Sequence, residues 1–77
     1  MENMTVTYTE RKIITINEIC GDEDIQTILF VDSIDAIREI RSKFRGIYET
    51  NSLIFVNGAL FRARENPGQI MSMINQA

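Results

Sequence analysis

Histidine is absent from this chain, cysteine and proline each occur once, and the four glycines stand apart from one another. Each shortage removes a class of function. Without histidine there is no ordinary Ser-His or Cys-His catalytic pair. A single cysteine closes no intrachain disulfide and builds no Cys/His zinc site. Cys20 precedes Asp22, Glu23 and Asp24, whose charge opposes a thiolate, so it reads as a structural residue and not as a nucleophile. Gly21, Gly46, Gly58 and Gly68 match neither a Walker A loop nor a Rossmann glycine pattern. Asp22-Glu23-Asp24 lacks the spacing of a calcium loop and reads as a solvated acidic loop. No catalytic residue, metal ligand or cofactor is legible, and the chain does not read as an enzyme.

Long apolar runs are missing as well. None exceeds the length of Ile28–Val31, far short of a membrane span. The Met1–Thr5 stretch has no basic segment leading into an apolar one, so it does not read as a secretory signal and a cytoplasmic location is the expectation. The Asn3-Met4-Thr5 sequon is then a chance match. No membrane contact is expected.

What is present is a divided charge. Residues 1–37 carry eight acids against Arg11 and Lys12, whereas residues 38–77 carry six bases against Glu39, Glu49 and Glu65. The net charge of −3 is a sum of opposed halves, which suggests surfaces of opposite sign. The chain of 77 residues reads as one domain, 1–77, with an ordinary apolar share of 44%. Folding at this size buries only about 60% of the unfolded surface. With neither disulfide nor metal in support, burial between subunits becomes an expectation, and a homo-oligomer with it.

The pattern along the chain predicts an α+β fold, an antiparallel sheet of about five strands with two helices, in the order β-β-β-α-β-β-α. Thr5–Tyr8 alternates as a strand, and the β-branched Ile13–Ile16 is expected to pair with it across Glu10–Lys12. Asn17–Asp24 reads as a loop. Ile25–Val31 is apolar on both faces and reads as a central strand. Asp32 or Ser33 is expected to cap a helix whose stripe is Ile34, Ile37, Ile40 and Phe44, ended by Gly46. Leu53–Val56, Asn57-Gly58 and Ala59–Arg64 specify a type I′ hairpin. Asn66 then caps a last helix with Pro67 at its first position and Ile70, Met71, Met73 and Ile74 on its apolar face.

In that hairpin Val56 opposes Ala59, Phe55 opposes Leu60, Ile54 opposes Phe61 and Leu53 opposes Arg62. Ile54, Val56, Ala59, Phe61 and Ala63 share a core face. The other face carries Leu53, Phe55, Leu60, Arg62 and Arg64, a mixture of large apolar groups and arginine typical of protein interfaces. Arg38, Arg41 and Arg45 fall at i, i+3 and i+7 of the expected first helix and form a basic ridge. Residues 53–74, running Leu-Ile-Phe-Val-Asn-Gly-Ala-Leu-Phe-Arg-Ala-Arg-Glu and closing on Ile-Met-Ser-Met-Ile, resemble the strand–Asn-Gly–strand–Glu–short-helix ending of the small flagellar-operon proteins of the FlbD type. The resemblance covers less than a third of the chain, the helix expected over 33–44 departs from their all-strand middle, and no function is carried across.

These features point to a non-enzymatic protein-binding module, a regulator or inhibitor of phage or bacterial origin that meets an unidentified protein partner and is expected to associate with itself through Leu53, Phe55 and Leu60 on the outer face of the hairpin. In such a dimer the acidic loop at Asp22–Asp24 is expected to meet Arg62 and Arg64 of a neighbour. The alternative is nucleic-acid binding, with Arg38, Arg41, Arg45, Arg62 and Arg64 on phosphates. Against it stand the acidic balance and the absence of a stacking-aromatic motif.

Overall fold

Three tight turns join the strands among the described residues, and all three use residues in the left-handed region. Gly21 (φ +63°) opens the turn between β1 (Ile13–Cys20) and β2 (Glu23–Phe30). Arg45 (φ +52°) and Gly46 (φ +81°) join β3 (Ile34–Phe44) to β4 (Ile47–Val56). Asn57 (φ +48°) and Gly58 (φ +84°) join β4 to β5 (Ala59–Ala63). Positive φ at both central residues is the I′ geometry, whose twist matches that of the flanking strands. Helix α1 (Pro67–Gln76) closes the chain. This computed structural model describes residues 11–77, and the expected strand Thr5–Tyr8 lies outside the described residues.

The described strands form one antiparallel five-stranded sheet in the order β2-β1-β5-β4-β3. The last hairpin has the register read from its turn, Val56 with Ala59 through Leu53 with Arg62, extended by Ser52 with Ala63. Helix α1 also begins as expected. The Asn66 side chain accepts from the Gln69 N–H at 2.8 Å, and the Gln69 side chain accepts from the Asn66 N–H at 2.8 Å, a reciprocal capping box ahead of Pro67.

Several expectations are corrected. The element over 33–44 is not a helix but β3, led in by a short 3-10 turn at Val31–Ser33, so the described order is β-β-β-β-β-α with one α-helix. Ile34, Ile37 and Ile40 at spacing three satisfy a helical stripe. In a strand the same spacing flips Ile37 and Ile40 to opposite faces, and pairing with β4 decides for the β-branched alternative. Asn17–Asp24 is likewise not a loop: it completes β1 and starts β2 around a two-residue turn, with Glu18 opposite Ile25 and Cys20 opposite Glu23. The strand at Ile25–Val31 lies at an edge of the described sheet, not at its centre, and leaves Ile28 60% exposed. Ala59 lies at the turn and is exposed, not in the core.

The core is small. Ile14, Ile16 and Leu29 from the β1–β2 ribbon meet Ile54 and Ala63 from the β3–β4–β5 meander and Ile70 from α1, with Ile37, Val56, Phe61, Met73 and Ile74 packed around them. Met71, expected on the apolar face of α1, is exposed. Glu65 braces the ribbon to the helix approach: its carboxylate accepts from the Asn17 N–H (3.1 Å) and the Asn17 side chain (2.8 Å), and its carbonyl accepts from the buried Ser52 hydroxyl (2.8 Å).

Candidate interaction surface

The meander register sorts its side chains into rows. Ile37, Ile54 and Phe61 form one row on the inner face, toward the core. Arg38, Leu53 and Arg62 form the next row on the outer face, and Ala36, Phe55 and Leu60 form another. Leu53, Phe55, Leu60 and Arg62 are thus brought together on one side of the sheet. Leu60 is 55% exposed, Leu53 and Phe55 are half-buried, and Arg38 and Arg62 are exposed. No ion pair engages Arg62 among the described residues.

Arg64 stands at the end of that face and is held on two sides. Its Nη2 and Nε donate to Asp24 at 2.8 and 3.2 Å, and its Nη1 donates to Glu49 at 2.7 Å. Hydrogen bonding from Arg64 holds the Asp24 carboxyl below its ordinary range, and Asp24 in turn raises the guanidinium further. The expected meeting of the acidic loop with Arg64 is thus closed within one chain, linking the first hairpin to β4. Of the acidic loop, Asp22 sits in the turn, while Glu23 and Asp24 open β2.

Beside Arg64 is a pocket of about 330 Å³. Ile19, Gly21 and Asp22 wall it on one side, Ser42, Lys43, Glu49 and Asn51 on the other, with Arg62 and Arg64 between. Asn51 is buried. Its amide donates to the Arg64 carbonyl at 2.9 Å and its side-chain oxygen accepts from the Ser42 hydroxyl. Asn51, Glu49 and Glu65 were invisible as site residues in the sequence, since nothing in its pattern states which distant carboxylate reaches an arginine.

The basic ridge does not assemble. Arg38 and Arg41 are an odd number of residues apart on β3 and take opposite faces, and Arg45 occupies the β3–β4 turn. Arg41 and Lys43 instead approach the exposed ring of Tyr48, at 5.9 and 5.5 Å from its centroid. Burial first, then the nearby Glu18 carboxylate, raises the Cys20 thiol above its ordinary value, which disfavours the thiolate. Among the described residues no group of three His, Cys, Asp or Glu is placed to hold a metal ion, and no helix is long and apolar enough to cross a membrane. No protein-family model, curated protein or solved structure matches this chain.

Proposed function

We propose that this protein is a non-enzymatic protein-binding module, a cytoplasmic regulator or inhibitor of phage or bacterial origin, that docks a protein partner on the outer face of β3–β4–β5 and associates with itself. One observation carries the reading: Leu53, Phe55 and Leu60 lie with Arg38 and Arg62 on the sheet face opposite the one packed in the core. Aromatic and aliphatic anchors beside arginine are what a protein interface is enriched in. Burying the three apolar side chains contributes a few kcal/mol at about 25 cal/mol per Å².

The test is retention of a partner from lysate by the immobilised full chain. Retention should persist at about 0.5 M salt, where exposed charge pairs are screened, and should fall with Phe55→Glu or Leu60→Glu. Retention of nothing by the wild type, or equal retention by both variants, rejects this reading.

The specific observation favouring nucleic acid is the exposed Tyr48 flanked by Arg41 and Lys43 on the β3–β4 hairpin. A gel-shift series at low salt separates the two readings. A phosphate-bound complex weakens steeply with salt, and no shift at tens of micromolar removes it.

A further inference from the structure

Strand β3 ends the described sheet, and among the described residues no strand pairs with its outer side along Ala36–Phe44. Phe44 and Ile47 flank the two-residue turn and form its backbone-bonded pair, so bonding toward β4 alternates back through Ser42, Ile40 and Arg38. The free N–H and C=O groups on the outer side therefore belong to Ile37, Glu39, Arg41 and Lys43. A long edge of this kind is a template for another strand.

Its sequence selects the strand it accepts. Two identical strands paired antiparallel about a two-fold axis oppose residues whose numbers share one constant sum, and the axis must keep like faces together. An axis at Glu39 sets two carboxylates against each other, and an axis at Arg38 sets two guanidiniums against each other. With the axis at Ile40, Glu39 opposes Arg41 of the other copy twice over, Ile40 opposes Ile40, and the stem of Lys43 lies along Ile37. The same register makes both Glu39–Arg41 pairs backbone-bonded ones. Asp35 takes no part: its carboxylate is occupied by the Asn57 N–H at 2.8 Å, beside the register shift between Ile34 and Ala36.

We infer that a second copy of this chain pairs antiparallel along β3 about a two-fold axis at Ile40, with Glu39 of each copy facing Arg41 of the other. The joined sheet has ten described strands, twice the five of one chain. Because like faces stay together, Leu53, Phe55, Leu60 and Arg62 of both copies fall on one continuous side. The docking surface proposed above is then doubled. The inference rests on that reading for the use of the doubled surface, whereas the pairing itself is tested apart from it.

Light scattering across micromolar concentrations should show the wild type as a dimer. Arg41→Glu, which sets Glu39 against a second carboxylate at both symmetric positions, should raise the dissociation constant about tenfold or more. Adding Glu39→Arg restores both pairs with their signs exchanged and should return the constant to near the wild-type value. Phe55→Glu should leave the mass unchanged while abolishing partner retention, which separates this proposal from the docking reading. Independently of any loss of folding, Ile40→Cys in a Cys20→Ser chain should cross-link to a covalent dimer under mild oxidation. Its two copies lie about 4.5 Å apart at Cα. Arg38→Cys, displaced from its own copy along the strand, should not cross-link. A monomeric wild type, a double variant that fails to recover, cross-linking at position 38 in preference to 40, or a dimer broken by Phe55→Glu would each overturn the pairing.

Discussion

At the scale of single residues, Asp24 and Cys20 are shifted in opposite directions, the carboxyl down and the thiol up. Asp24 and Asp32 are both held below the ordinary aspartate value of about 3.9, Asp24 by Arg64 and Asp32 by Arg11. A carboxylate lowered in the folded state contributes stability that is complete above its unfolded value and is lost as pH falls through its folded value. Thermal melts followed by circular dichroism between about pH 6 and pH 2 should therefore show stability declining below about pH 4, modestly because both carboxylates are solvent-exposed. Asp24→Asn should flatten that acid limb and lower the neutral plateau. An acid limb unchanged by Asp24→Asn would mean that the Arg64 contact contributes nothing in solution. Cys20 should react with a disulfide reagent more slowly at pH 7 than a free cysteine does, since burial and then the nearby Glu18 carboxylate disfavour the thiolate, and Glu18→Gln should speed it.

At the scale of elements, the turns and the helix cap act locally and their costs can be bounded. Gly58 has φ +84° and nothing within 4 Å of a Cβ built on it. Gly58→Ala should thus cost only the backbone strain, about 1–2 kcal/mol in chemical denaturation. A neutral result would mean that the turn relaxes to another type. Asn66→Ala removes the side-chain acceptor for the Gln69 N–H while keeping the backbone N–H that donates to the Gln69 side chain, and should destabilise by about 1 kcal/mol. In a chain of this length that is a fall of about 4–8 °C in Tm.

At the scale of the whole molecule, stability depends on very few buried groups. Ile70 is fully buried where α1 meets both the ribbon and the meander. Ile70→Ala should cost about 2–5 kcal/mol, a large share of the total for a small domain. Met71, its neighbour, is 47% exposed, and Met71→Ala should stay within about 0.5 kcal/mol. Equal effects from the two substitutions, read as denaturation midpoints, would show that the helix packs on a different face. A core this size leaves apolar residues outside it, among them Ile13, Ile28, Phe30 and Leu60. The pairing of chains proposed above would answer that shortage of core.

The parts legible in the sequence are those whose cause lies within a few residues. Asn57-Gly58 is confined to a turn that only such residues enter without strain, so the hairpin and its register follow at once. Asn66, Pro67 and Gln69 likewise contain the whole start of α1. From the same hairpin the row of Leu53, Phe55, Leu60 and Arg62 was readable, because strand alternation carries side chains to a face without help from the rest of the fold. The identity of β3 was not, since its isoleucines at spacing three suit a helix and a two-sided strand equally, and only the ladder with β4 separates them. Glu18 and Cys20 read as loop because Asn17–Asp24 is mostly polar and contains Gly21, and only the ladder with β2 makes them strand. Two partners of Arg64, Asp24 and Glu49, are forty and fifteen positions away in the chain. Contacts of that separation are decided by how the two hairpins lie against each other, which is a property of the packed molecule and is written in no local stretch of it.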